Sequence, residues 1–112
     1  MPNGTPPARP RRRLSAVGHT VVDVQHREGR IEGDVQERRE QSRHLFDDHP
    51  ARVRVEGSVT QNMGDFNSVR VGVMIDRPCV NTDEAIEETY NEISGMVDRL
   101  LAAEIDLATG GR

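Results

Sequence analysis

Arg52, Arg54 and Arg70 sit at alternating positions of two valine-rich runs, and Phe66 lies in the polar stretch between those runs. Residues two apart in an extended strand share a face. "ARVRVEGSVTQ" (51–61) and "SVRVGVMID" (68–76) therefore set their arginines on one side and their valines on the other. Guanidinium groups match phosphate oxygens in paired hydrogen bonds, and an exposed ring offers a surface on which a base stacks. Three such arginines with one aromatic make a candidate platform for single-stranded nucleic acid. Arg11, Arg12 and Arg13 add an electrostatic tether near the N-terminus. The competing reading is a solvated sheet face on which Glu56 and Asp76 balance the arginines.

Two other clusters carry charge or ligand chemistry. Glu84, Glu87 and Glu88, flanked by Asp83 and Glu92, give a dense negative surface that could dock on a basic groove of a protein partner. Acidic residues also simply favour the positive start of a helix. "HLFDDH" (44–49) holds metal-ligand residue types, with His44 and Asp48 on one face if the segment is helical. Zinc needs three or four convergent ligands, so no metal site is assigned. Cys79 stands alone, which excludes an internal disulfide and a cysteine-based zinc cage. Beside Pro78 it reads as a small, half-buried filler.

No nucleophile arrangement is present. There is no Gly-x-Ser-x-Gly, no phosphate-cradling glycine loop with lysine, and no lysine at all for a Schiff base. The expectation is a non-enzymatic protein without a cofactor.

These groups need elements to hold them. Hydrophobic residues make up only 34% of the 112 residues and charged residues 30%, so part of the chain has little with which to offset the entropy of ordering. Residues 1–13, rich in proline and arginine, read as a disordered basic arm. Residues 14–50 read as a poorly packed extension, with a short strand over 19–25, turn residues at Gly29 and Gly33, and a thin-striped helix over 34–46. From Ala51 the pattern is regular. The two period-2 runs predict an antiparallel hairpin with one buried face, joined by a connection of about Asn62 to Asn67, longer than a two-residue turn. Pro78 closes the second strand. Asn81 as N-cap with Glu84 three residues on predicts a helix start. Ile86, Tyr90, Ile93, Met96, Val97, Leu100, Leu101 and Ile105 then form one apolar stripe, in which Gly95 marks a place of close backbone approach. Residues 108–112 are a tail.

The fold class expected is α+β: a ββα unit over 51–107, its core completed by a second copy or by an N-terminal strand, with a homo-oligomer favoured over a monomer. Net charge is −4, but residues 1–54 carry eleven arginines against eight acids, whereas 55–112 carry four against eleven. A basic arm on an acidic body does not suit coating of duplex DNA. No secretory signal and no apolar run near 18 residues occur, so a cytoplasmic location without a membrane partner is expected.

The series Asn62, Gly64, Phe66, Ser68, Val69, Arg70, Val71 and Val73, followed by Pro78–Cys79 and an acidic capped helix, resembles small uncharacterised proteins of phages and mobile elements. The likeness spans residues 53–105. It implies a hairpin followed by a helix and a viral or mobile-element origin, and brings no activity with it. The expected function is association with nucleic acid, single strands above all. The alternatives are a protein–protein adaptor or inhibitor acting through the acidic helix or a strand edge, and a structural subunit of a larger assembly.

Overall fold

The computed structural model describes residues 13–110. Four strands precede one helix: β1 (Leu14–Glu28), β2 (Ile31–Phe46), β3 (Ala51–Gly64), β4 (Asn67–Cys79) and α1 (Asp83–Ala108). They form one sheet in the order β2-β1-β4-β3, antiparallel at every junction. The α+β class holds, with a four-stranded sheet in place of a lone hairpin.

The valine alternation dictates the centre. Val55 pairs with Ile75, Gly57 with Val73 and Val59 with Val71, which turns one apolar face of β3–β4 towards α1. Val69, Val71, Val73 and Ile75 are buried there with Ile93 and Val97 of the helix. Burying each such side chain contributes about 1.5–3 kcal/mol. The helix packs tightly on Gly57, where an added Cβ would meet Leu101 Cδ1 at 3.0 Å and Val97 Cγ1 at 3.2 Å. Close approach is therefore a property of Gly57 and not of Gly95, whose only near neighbour is the mobile end of Arg99. The N-cap is Thr82, one residue beyond Asn81; its Oγ1 accepts a hydrogen bond from the Ala85 amide at 3.2 Å. Tyr90 leaves the stripe and is exposed. β4 continues past Pro78 to Cys79, which is buried.

Residues 14–50 are the other half of the sheet, not an extension of it. In β1, Val22 lies opposite Val73 and Val24 opposite Val71, so β1 carries the apolar layer across from β4. The core is completed by the chain's own N-terminal half without recourse to a second copy. The helix expected over 34–46 is instead strand β2, paired with β1 from Glu28↔Ile31 to Leu14↔Phe46. Helix preference among "ERREQSR" amounts to a few tenths of a kcal/mol per residue, which a continuous ladder beside the anchored β1 overrides. As an exposed outer strand, β2 alternates charge on both faces, with Glu37 and Arg39 on one and Arg38 and Glu40 on the other, a pattern that discourages edge-to-edge aggregation.

Each hairpin is sequential, and the hairpins meet along β1–β4. The link between them, residues 47–50, runs from one outer strand to the other. That span is three interstrand steps, about 14 Å, within reach of an extended linker of this length.

Candidate nucleic-acid interface

Among the described residues, the helix covers one face of the sheet and no element covers the other. Alternation places Arg52, Arg54 and Arg70 together on that open face, as the sequence predicts, but not side by side. Arg54 is opposite Asp76, whereas Arg70 is six residues further along β4 and opposite Thr60. At about 3.4 Å per residue the two are separated by about 20 Å. Arg52 and Arg54 are also engaged already. Arg52 Nε bonds Asp76 Oδ1 at 3.1 Å and its Nη2 donates to the Val17 carbonyl, while Arg54 Nε pairs with Glu56 Oε1 at 2.7 Å. This end of the face is charge-balanced, as the competing reading has it.

The end near the hairpin turns differs. Arg70 lies opposite Gln25 of β1, and Arg27 lies opposite Ser68, one diagonal step away. The two arginines line a cleft of about 370 Å³ with Gln25, Thr60 and Ser68. Both are exposed, and neither has an ion-pair partner among the described residues. Arg27 was not among the candidates read from sequence. It falls in a segment whose alternation with Asp23, Gln25 and Val21 is masked by polar residues on both faces.

Phe66 lies in the turn between β3 and β4, two residues before Ser68 of this cleft. The connection is shorter than expected: Gly64 pairs with Asn67, so Asp65 and Phe66 alone make the turn, and an irregularity between Asn62 and Gly64 absorbs the additional residue. Gly64, Asp65 and Phe66 have φ of 83°, 52° and 65°, the left-handed geometry of a tight hairpin turn. Asn62 Oδ1 accepts the Gly64 amide at 2.9 Å, which accounts for both the asparagine and the glycine of the motif. Phe66 has no such account. Left-handed backbone at a bulky L-residue costs about 1–2 kcal/mol, yet the ring buries nothing and is 89% exposed.

The remaining candidates lie elsewhere. Glu84, Glu87 and Glu88 are exposed on the first turns of α1. Their neighbour Glu92 pairs with Arg77 at 2.9 Å. Arg13 approaches Asp47 at 3.9 Å across solvent, and Arg11 and Arg12 fall outside the described residues. His44 is in a strand, so it shares no helical face with Asp48; its Nε2 lies 2.8 Å from Ser42 Oγ. No group of three or more His, Cys, Asp or Glu is placed to hold a metal ion among the described residues. Nor is any helix there long and apolar enough to cross a membrane.

One charged group is buried where the sequence signalled only helix: Glu104 is 8% exposed and is met by Arg38 Nη2 reaching from β2. Asp23 and Glu37 face each other on the open side. Burial, then the charge of Glu37 and a hydrogen bond with it, push the Asp23 carboxyl above its ordinary value, with Arg39 opposing.

Comparison of the chain with protein-family models, curated proteins and solved structures gives no match. The functional reading rests on the molecule's own geometry.

Proposed function

We propose that this chain is a small non-enzymatic protein that associates with single-stranded nucleic acid through the turn end of its open sheet face. Arg70 and Arg27 take backbone phosphates and Phe66 stacks on a base. The observation that carries this reading is Phe66: an aromatic ring held in left-handed backbone and almost wholly in solvent, in the turn at the end of the sheet where Arg27 and Arg70 line a cleft without an ion-pair partner among the described residues. Strain kept at an exposed position is characteristic of sites of contact. One ring and two guanidinium groups define a short footprint and modest affinity, since each stacked base contributes about 1–3 kcal/mol.

Fluorescence anisotropy with a labelled single-stranded oligonucleotide tests it. Binding at low salt should fall with a shallow slope, roughly 0.7 log units per log unit of salt for each phosphate contacted. Arg70→Glu or Arg27→Glu should weaken binding about tenfold, and Arg54→Glu much less. Absence of binding at low salt would sink the proposal, and would turn attention to exposed Glu84, Glu87 and Glu88 as a surface for a protein partner.

A further inference from the structure

The two outer strands differ in chemistry. Every central residue of β2 from Glu37 to Glu40 is charged, and a two-fold axis at Arg38, Arg39 or Glu40 would set that residue against its own copy. β3 is otherwise. From Gly57 to Met63 it reads Gly-Ser-Val-Thr-Gln-Asn-Met, without a charge. Val59 is 38% exposed and Met63 47% exposed. A free strand edge presents unpaired N–H and C=O groups that seek a second strand.

We propose that β3 is the interface between two copies of this chain, paired antiparallel about a two-fold axis through Gly57. Three observations converge on this occupant. The first is self-complementarity. That axis sets Val55 opposite Val59 of the second copy on the helix side. On the open side it sets Arg54 opposite Thr60 and Glu56 opposite Ser58 of the second copy. No like charges stand directly opposed, and apolar pairs flank the axis.

The second is helix spacing. α1 packs over β3 and β4 together, so its axis lies about half a strand step inside β3. Two copies joined at 4.8 Å between their β3 strands therefore hold their helices about 10 Å apart, the distance at which helices pack.

The third is the flank that each helix would offer. Ile105 and Thr109 line a groove with Gln61 and Met63 at this edge, and Leu101 seats on Gly57. Tyr90 lies eleven residues before Leu101, three helical turns away and on the same flank, and is 53% exposed. Pairing through β3 covers Val59, Met63 and Tyr90 at once. It yields an eight-stranded sheet with both helices on one side, and it leaves the opposite face and the hairpin turns open.

Charge at Ser58 tests the register. The full chain should show twice its single-chain mass in light scattering at micromolar concentration. Ser58→Glu opposes Glu56 of the second copy and should raise the dimer dissociation constant about tenfold, whereas Ser58→Arg should leave it equal or lower. In a Cys79→Ala background, an Arg54→Cys chain mixed with a Thr60→Cys chain should form a disulfide-linked pair, because directly opposed residues lie within bridging range. Either chain alone should not, its two cysteines being about 20 Å apart. A single-chain mass at all concentrations, equal behaviour of the two Ser58 variants, or cross-linking in the unmixed samples would each overturn the proposal.

Discussion

The Gly29 amide donates to the Phe66 carbonyl at 2.9 Å, joining the turn of the first hairpin to the turn of the second. This bond fixes the backbone of Phe66 from outside its own hairpin. The exposed ring is therefore presented by a braced turn and not by a free loop, and less order remains to be imposed when it meets a partner.

Phe66→Gly separates stability from recognition. Glycine enters left-handed backbone without the penalty of a side chain, so the variant should unfold at higher urea concentration, by about 0.5–1 kcal/mol. Its binding to a single-stranded oligonucleotide should fall by about tenfold or more. Loss of stability in the urea titration, or unchanged binding, would show that the ring serves the fold.

The Arg38–Glu104 pair bridges β2 to α1 over a groove floored by Val22. Arg38→Ala leaves a buried carboxylate without its partner. Because the Arg38 side chain is itself largely in solvent, the expected loss is about 1–2 kcal/mol, smaller than for a fully buried pair. Adding Glu104→Met to that variant should recover most of the loss, since the buried charge is gone. Chemical denaturation of the single and double variants checks both statements; equal loss in both would contradict them.

Asp23 opposite Glu37 sets a pH dependence with a definite sign. The folded carboxyl holds its proton more tightly than the unfolded one, whose ordinary value is 3.8. Its contribution to stability is therefore fully present below that value and is lost as pH rises through the raised one. Asp23→Asn removes the loss. The variant should be more stable than the parent at neutral pH, and its advantage should shrink towards pH 3.8. Urea unfolding at a series of pH values reads this directly, and parallel curves for the two proteins would refute it.

The parts that were legible in sequence are those that fill the core. Val69, Val71, Val73 and Ile75 alternate without interruption, and Ile93 and Val97 repeat at helical spacing, so β4 and α1 announce themselves. β2 contributes no buried hydrophobic residue to that core. Its strand state comes from pairing with β1, a partner that local composition does not name, and residues such as Glu37, Arg38 and Arg39 suit a helix equally well. The turn at Asp65–Phe66 was hidden for a related reason: Asn62, Gly64 and Asp65 signalled a turn, but phenylalanine does not favour left-handed backbone and nothing local named Phe66 as its second central residue. The open-face arginines were assigned to the correct side by alternation. Their separation along the strands, and the company of Arg27 with Arg70, needed the register between β1 and β4.

The charged outer strand has a consequence for how the chain is made. β1 and β2 are complete before β4 has been synthesised, yet Val22 and Val24 gain their neighbours Val73 and Val71 only when β4 arrives. The first hairpin must wait with an apolar strip uncovered on β1, and pairing across such sequence separations is slow to form. β2, the neighbour of β1 in the finished sheet, carries arginine and glutamate from Glu37 to Glu40. Charges of this kind discourage an unfinished sheet from pairing with another chain.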